Sequence, residues 1–191
     1  KRWVDKTGIP LLDGIGTTEI LHIFLSNQID KVKPGASGLA VPGYKGKIVD
    51  GNGKEVPNGE TGDLMIKGDS LLKLYWRNAE KTAASIKDGW MYTGDTYYRD
   101  GEGFFFCCGR SDDMLKVGGI WCSPVEIENK LVEHPKVLEA AIVGREDDEQ
   151  LIKPEAFVVL NNPKDAGDDL KTELLEHCKA GLARYKYPRW F

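Results

Sequence analysis

Apolar positions along this chain change their period several times, and each change marks an element. The short apolar run at residues 9–12 predicts a buried strand, and residues 45–49 and 63–67 read as two more. Asp50-Gly51-Asn52-Gly53 and Pro57-Asn58-Gly59 separate the latter pair with turn chemistry. Residues 78–86 predict a helix. Residues 90–99 and 103–108 flank Asp100-Gly101-Glu102, a strong hairpin signal.

Beyond residue 113 the texture changes to strand, helix, strand, strand, helix. Residues 114–117 predict a strand. Ser123-Pro124-Val125-Glu126 then combines an N-cap serine, a first-turn proline and a capping-box glutamate. That helix runs to about Glu133 and is stopped by Pro135. Residues 137–143 and 155–160 predict strands. Leu170, Leu174, Cys178 and Leu182 recur every four residues, with Leu175 widening the stripe of an amphipathic helix. The chain carries no internal repeat and no low-complexity tract. The expected fold is mixed α/β, with a β-rich domain over residues 1–111 and a small α/β domain over 112–191.

Composition narrows the class. The chain has 191 residues, 41% of them apolar and 29% charged, close to soluble globular averages. Residues 1–111 hold 15 basic and 14 acidic side chains, and residues 112–191 hold 11 and 16. The net charge of −4 argues against a general nucleic-acid binder. The longest apolar run, residues 103–108, is far too short to span a bilayer, so no membrane partner is expected. Lys1-Arg2-Trp3 is basic, but no apolar stretch of a signal peptide follows. The first residue is not Met, which suggests a piece of a longer chain. Cys107, Cys108, Cys122 and Cys178 show neither C-x-x-C spacing nor the density of a disulfide scaffold. Reduced structural thiols and a cytoplasmic location are expected. His22, His134 and His177 are dispersed, and no zinc site is readable. Nothing in the sequence speaks to oligomeric state.

Generic catalytic patterns fail. There is no G-x-x-x-x-G-K-[ST] and no G-x-S-x-G, and Gly14-Ile15-Gly16 lacks the third glycine of a dinucleotide fingerprint. Three other segments carry the chemistry. Asp13-Gly14-Ile15-Gly16-Thr17-Thr18-Glu19 ends a strand with a glycine-flexed turn, two hydroxyls and a carboxylate. Tyr92-Thr93-Gly94-Asp95 places a carboxylate at a tight turn within a strand. The run from Gly109-Arg110-Ser111-Asp112-Asp113 to Met114-Leu115-Lys116-Val117-Gly118-Gly119 lies on the domain boundary.

In this order the three segments resemble the adenylate-forming superfamily of acyl-CoA synthetases, peptide-synthetase adenylation domains and luciferases. The resemblance covers nearly the whole chain, as the late part of such an enzyme. Leu21-His22-Ile23-Phe24-Leu25-Ser26-Asn27 and Ile120-Trp121 before Ser123-Pro124 look most like benzoate-CoA ligases within it. The resemblance implies two half-reactions. A carboxylate attacks the α-phosphate of ATP to give acyl-AMP and pyrophosphate, and the thiol of coenzyme A then displaces AMP. An aryl acid is the expected substrate. An aliphatic or other carboxylate is the alternative, as is a noncatalytic nucleotide-binding or interaction module.

Residue roles follow from the same resemblance, each beside a plainer alternative. Thr18 would donate to the α-phosphate and Glu19 would hold Mg²⁺, a hard cation that prefers oxygen ligands; otherwise the pair is a helix N-cap with a first-turn acid. Asp13, Gly14 and Ile15 would border the adenine. Asp95 would accept both ribose hydroxyls, or else stabilise an Asx-turn. Arg110 would reach ribose or phosphate, or else pair with Asp112 or Asp113. Asp112 matches the family's hinge, a position where an acidic residue is otherwise simply solvated. Lys116 matches the lysine that faces the active site during thioester formation, or is an exposed strand lysine. Gly118 and Gly119 would admit the pantetheine arm of coenzyme A, or form a bulge. Ile15 and His22 would line the acyl pocket, or merely pack. Trp90 and Trp121 read as core or interface aromatics. Leu74, where the family usually has glycine, is expected to distort the turn before Tyr75-Trp76. The family's phosphate loop would precede residue 1 and its adenylation lysine would follow residue 191. The chain alone is therefore expected to be inactive.

Overall fold

Short strand-forming runs broken by glycine turns build the first part of the chain; the computed structural model describes residues 2–191. After a short helix, α1 (Arg2–Thr7), the strands β1 (Gly14–Thr17), β2 (His22–Ser26) and β3 (Leu39–Ala40) form an antiparallel sheet in that order. A second sheet holds β4 (Lys45–Val49), β5 (Thr61–Lys67), β6 (Ile86–Lys87), β7 (Trp90–Arg99) and β8 (Phe105–Arg110). Its order is β4-β5-β7-β6, and β8 also pairs with β7. Helix α2 (Ala79–Ser85) begins where Asn78 Oδ1 accepts the Lys81 backbone N–H at 2.9 Å, satisfying an otherwise orphaned donor.

Residue contacts divide the chain into two compact units, one ending at Cys107 and the other running Cys108–Phe191. The division falls within β8, four residues before the 111/112 break expected from composition. The first unit closes on Ile20, Phe24, Leu25, Leu64, Ile66 and Tyr97, all essentially buried. Each such side chain contributes roughly 1.5–3 kcal/mol by leaving water.

The predicted strand at residues 9–12 does not form. The run is irregular, with Ile9 and Leu11 58% and 60% exposed, because it pairs with no strand among the described residues. The hairpin predicted around Asp100 does form. Asp100 Oδ1 accepts the backbone N–H groups of Glu102 and Phe104, both at 2.9 Å, which closes the connection from β7 to β8.

In the second unit β9 (Leu115–Val117) and β10 (Ile120–Cys122) form a hairpin, followed by α3 (Pro124–Val132). Strands β11 (Val137–Glu146) and β12 (Ile152–Leu160) pair antiparallel, and α4 (Asp168–Lys179) completes the layer. The β11–β12 arms are longer than predicted because Asp147 Oδ1 accepts from the N–H groups of Glu149 and Leu151, closing a tight turn between them. Leu170, Leu174 and Cys178 of α4 join Ile127 and Leu131 of α3 and Val137, Ile142 and Ala156 of the sheet in one core. Leu170, Leu174 and Cys178 are thus the buried stripe of α4, whereas Leu182, expected to continue it, lies past the helix end at Lys179 and packs only partly buried against the core.

Ser123 caps α3 as predicted, accepting the Glu126 N–H at 3.3 Å, and its hydroxyl donates to the Cys108 carbonyl. Glu126 does not complete a capping box. Its carboxylate is engaged by Lys186 Nζ at 2.5 Å, and a charge-assisted bond outcompetes a neutral backbone donor. Cys122 and Cys178 are buried free thiols, whereas Cys107 is exposed. No helix among the described residues is long and apolar enough to cross a membrane.

Candidate active site

The Asp13–Glu19 motif is one arm and the tip of a hairpin. Gly14 lies opposite Ser26 and Thr17 opposite His22, with a bulge between Ile15 and Gly16. Glycine is required at Gly16, because a Cβ there would sit 2.5 Å from the His22 carbonyl oxygen. Past Thr17 the chain turns sharply. The N–H groups of Ile20 and Leu21 donate to the Thr17 carbonyl at 3.2 and 3.0 Å, and Leu21 takes a φ of +64°. Fully buried Ile20 anchors this turn, leaving Thr18 exposed and Glu19 half-buried. No helix follows, so the N-cap alternative for Thr18 and Glu19 is excluded.

A second segment meets this tip. Tyr75 Oη donates to Glu19 Oε1 at 2.9 Å, the Leu72 N–H donates to the Glu19 carbonyl at 2.8 Å, and Ser70 Oγ donates to the Ile20 carbonyl at 2.6 Å. Burial by itself raises the Glu19 carboxyl. Its own backbone N–H, the Tyr75 hydroxyl, a pull from Thr17 and the Lys81 charge outweigh that, so the carboxyl sits below its ordinary value. Thr17 Oγ1 itself is buried and has no partner within hydrogen-bonding geometry. Burial first, then the bond to Glu19 and its charge, push the Tyr75 phenol up and keep it a donor.

The ionised Glu19 carboxylate is an oxygen donor of the kind a hard cation prefers. No cluster of three or more His, Cys, Asp or Glu side chains converges among the described residues. A magnesium ion at Glu19 would take its other oxygens from water and substrate phosphates, as this ion commonly does.

Asp95 is displayed by a bulge in β7. Met65 of β5 lies opposite Tyr92 while Asp63 lies opposite Thr96, so Thr93, Gly94 and Asp95 of β7 face the single Leu64 of β5. Gly94 supplies the positive φ of 78°. Thr93 Oγ1 donates to the Leu64 carbonyl at 3.3 Å and accepts the Asp95 N–H at 3.2 Å. Threonine thus takes part in closing the turn that carries Asp95. Nearby Tyr97 is buried. That burial, together with charge on Cys107 and Asp95, raises its phenol well above the ordinary value against the Ser37 hydroxyl.

The remaining first-unit candidates lie along the hairpin. Asp13 Oδ1 accepts the Gly14 N–H at 2.8 Å, and the Asp13 carbonyl accepts the Asn27 N–H at 2.8 Å. Ile15 packs half-buried against the core. His22 is exposed, stacks parallel to Tyr44 and lines a 310 Å³ cavity with Ser26, Asn27, Leu39 and Pro42. Ile15 is not among the walls of that cavity.

The second unit presents its candidates separately. Arg110 ends β8, and Asp112 is the exposed middle residue of a 3-10 turn, Ser111–Asp113. Lys116 is exposed on β9 opposite Trp121 of β10, with Nζ 5.7 Å from the indole centroid. Val117 pairs with Ile120, leaving Gly118 and Gly119 as a two-residue turn with φ of +58° and +84°. Both central residues need φ > 0 in such a hairpin, which accounts for the glycines and takes the place of the bulge that is the plainer alternative. Trp121, expected in a core or interface, is 60% exposed, whereas Trp90 is half-buried beneath Lys47. Leu74 does not distort its turn: φ is positive at Arg77 and not at Leu74, so no glycine geometry is needed there.

Tyr75, Lys81 and the buried Thr17 hydroxyl escaped the sequence reading. Tyr75 reaches Glu19 across 56 positions, a relation without local periodicity.

Residues 1–76 match the AMP-binding enzyme family, and residues 126–191 match the AMP-binding enzyme C-terminal domain. Over its full length the chain is 51% identical to benzoate–CoA ligase of Thauera aromatica, covering 36% of that protein. It is 43% identical to 4-hydroxybenzoate–CoA/benzoate–CoA ligase of Rhodopseudomonas palustris, over 98% of this chain and 35% of that one. Among solved structures, the anthranilate CoA ligase AuaEII in complex with anthranoyl-AMP superposes with a TM-score of 0.93 at 45% identity, over 98% of this chain and 36% of that chain. A benzoate CoA ligase from Burkholderia xenovorans LB400 gives 0.89 at 47% identity, over 99% of this chain and 38% of that chain. The chain thus spans about a third of the length of the curated relatives it matches. With its three motifs folded as described and both family profiles matched in order, the chain belongs to the AMP-binding enzymes of the adenylate-forming superfamily.

Proposed function

We propose that this chain is the nucleotide-side β-rich part and most of the mobile lid of an ATP-dependent aryl-acid CoA ligase, acting on benzoate or a close relative. The observation that carries this reading is the ordered set of a Thr18-Glu19 hairpin tip, a bulge-borne Asp95 and a Lys116 hairpin, in a chain 51% identical to a benzoate–CoA ligase. In the first half-reaction a carboxylate oxygen bonds the α-phosphorus and pyrophosphate leaves. In the second, the coenzyme A sulfur bonds the acyl carbon, its proton departs and AMP leaves.

Thr18, exposed at the turn, donates to the α-phosphate, and Glu19 holds the magnesium ion. That ion would neutralise phosphate charge when bound. The Asp95 carboxylate accepts the two ribose hydroxyls, since one carboxylate matches a vicinal diol. Asp13, Gly14 and Ile15 border the adenine, and Arg110 adds a fixed donor fork. Ile15 and His22 contribute to the acyl side. Asp112 is the hinge of a lid over residues 112–191. Lys116 serves the thioester step, and Gly118 and Gly119 admit the pantetheine arm. Positioned charge supplies most of the rate gain in the phosphoryl step.

The test is coenzyme A consumption by the ligase-length protein with ATP, Mg²⁺ and a panel of acids. Benzoate and substituted benzoates should give acyl-CoA and AMP at rates well above hexanoate. Faster turnover of the aliphatic acid overturns the aryl reading, and AMP release with no acid overturns the ligase reading.

A further inference from the structure

We infer that Tyr75 is a positioning residue for the Glu19 carboxylate, dedicating one of its oxygens to the protein and leaving the other for the metal. This deepens the proposed function and rests on Glu19 as the magnesium ligand. A glutamate at the tip of a hairpin has three rotatable bonds, and an unrestrained one spends little time aimed at a cation. Here Oε1 accepts the phenolic O–H of Tyr75 at 2.9 Å, which fixes the plane of the carboxylate.

Tyr75 is itself held from several sides. Its backbone N–H donates to Thr82 Oγ1 at 3.0 Å, and its carbonyl accepts the Asn78 N–H at 3.1 Å. Lys81 Nζ stands 4.2 Å from the ring centroid, close enough for a cation–π contact. The Leu72 N–H ties the same segment to the Glu19 carbonyl at 2.8 Å, so side chain and backbone of Glu19 are located by one loop. Supporting groups of this kind set metal affinity by orienting the ligand. With Oε1 accepting from Tyr75, Oε2 is the oxygen that Glu19 would present to the cation, which would fill its other positions with water and phosphate oxygens.

The test compares Tyr75→Phe and Glu19→Gln in the ligase-length protein, with Mn²⁺ as the probe. Free Mn²⁺ is read by electron paramagnetic resonance in the presence of a non-hydrolysable ATP analogue. Tyr75→Phe removes one oxygen and keeps the ring under Lys81, so the fold should survive, which circular dichroism checks. The expected result is a 10- to 100-fold rise in the Mn²⁺ dissociation constant for Tyr75→Phe. The Mg²⁺ concentration for half-maximal activity should rise with it, while kcat at saturating Mg²⁺ falls less than fivefold. If Glu19→Gln weakens Mn²⁺ and Tyr75→Phe does not, the positioning role is wrong and the metal assignment stands. If neither variant changes Mn²⁺ binding, Glu19 is not the ligand and both readings fall. Should Tyr75→Phe misfold, Thr82→Val replaces it. That change releases the Tyr75 backbone N–H without altering any charge near Glu19, and an unchanged Mn²⁺ constant there overturns the inference.

Discussion

The backbone N–H of Asp95 donates to Thr93 Oγ1 at 3.2 Å, and the same hydroxyl donates to the Leu64 carbonyl of the neighbouring strand. The Thr93 hydroxyl thus links the turn that carries Asp95 to the neighbouring strand. Thr93→Val keeps the shape and removes the closure, at a cost of about 1 kcal/mol in stability. Gly94→Ala forces a side chain to φ +78° and should cost about 1–2 kcal/mol. Both variants should also weaken AMP binding by moving Asp95. Urea unfolding and AMP titration check the pair, and wild-type AMP affinity in Gly94→Ala would show that the bulge does not place the ribose acceptor.

Lys116 stands opposite Trp121 with its ammonium 5.7 Å from the indole centroid. In the ligase-length protein Lys116→Ala should slow thioester formation at least tenfold and leave adenylate formation nearly intact. Single-turnover reaction of preformed acyl-adenylate with coenzyme A isolates the affected step. Equal losses in both half-reactions would assign Lys116 to the shared nucleotide site instead.

Asp112 is the middle residue of the 3-10 turn Ser111–Asp113. Proline there fixes its own φ and drives Ser111 out of the helical region, so the turn must reorganise. A hinge works by absorbing backbone change at a few positions. Asp112→Pro should therefore trap one arrangement of the lid and suppress only the half-reaction that needs the other. A folded variant with parental rates in both half-reactions removes Asp112 from the hinge.

Burial pushes the thiols of Cys122 and Cys178 up to about 11, more than the opposing Lys186 and Lys130 charges can offset. At pH 8 such a group is about one part in a thousand thiolate, and access is closed as well. In the native chain at pH 8, iodoacetamide should alkylate exposed Cys107 and spare Cys122 and Cys178 until denaturant is added. Peptide mass spectrometry reads this directly. Native labelling of Cys178 would mean that α4 is not seated on its core.

Lys33 Nζ bonds Asp100 Oδ2 at 2.6 Å and Glu102 Oε2 at 2.9 Å across the β7–β8 connection. The bond from Lys33 holds the Asp100 carboxyl below its ordinary value, and the bond to Asp100, then Glu102, raises the Lys33 ammonium. A depressed carboxyl contributes stability above its unfolded value and loses it as pH falls through the folded one. The raised ammonium contributes below its unfolded value and loses it as pH rises through its own folded one. The loss in Lys33→Met should hence be constant through neutral pH and shrink below pH 4. Thermal unfolding of both proteins at pH 7 and pH 3 tests this, and an equal loss at the two values would exclude the ion pair as its source.

The sequence by itself determined much of this protein. Turn glycines, the Ser123 cap and the leucine stripe of α4 act over four residues or fewer, so local chemistry placed their elements. The three ordered motifs carried the family because each keeps its residues contiguous. Tertiary structure decided the rest. Residues 9–12 have the composition of a strand, yet a strand needs a neighbour to hydrogen-bond, and no strand among the described residues pairs with them. Glu126 left its capping box because Lys186, distant in sequence, brought a full charge to it. Tyr75 found Glu19 because folding alone brings β1 beside the segment after β5, and no pattern within either segment announces the other.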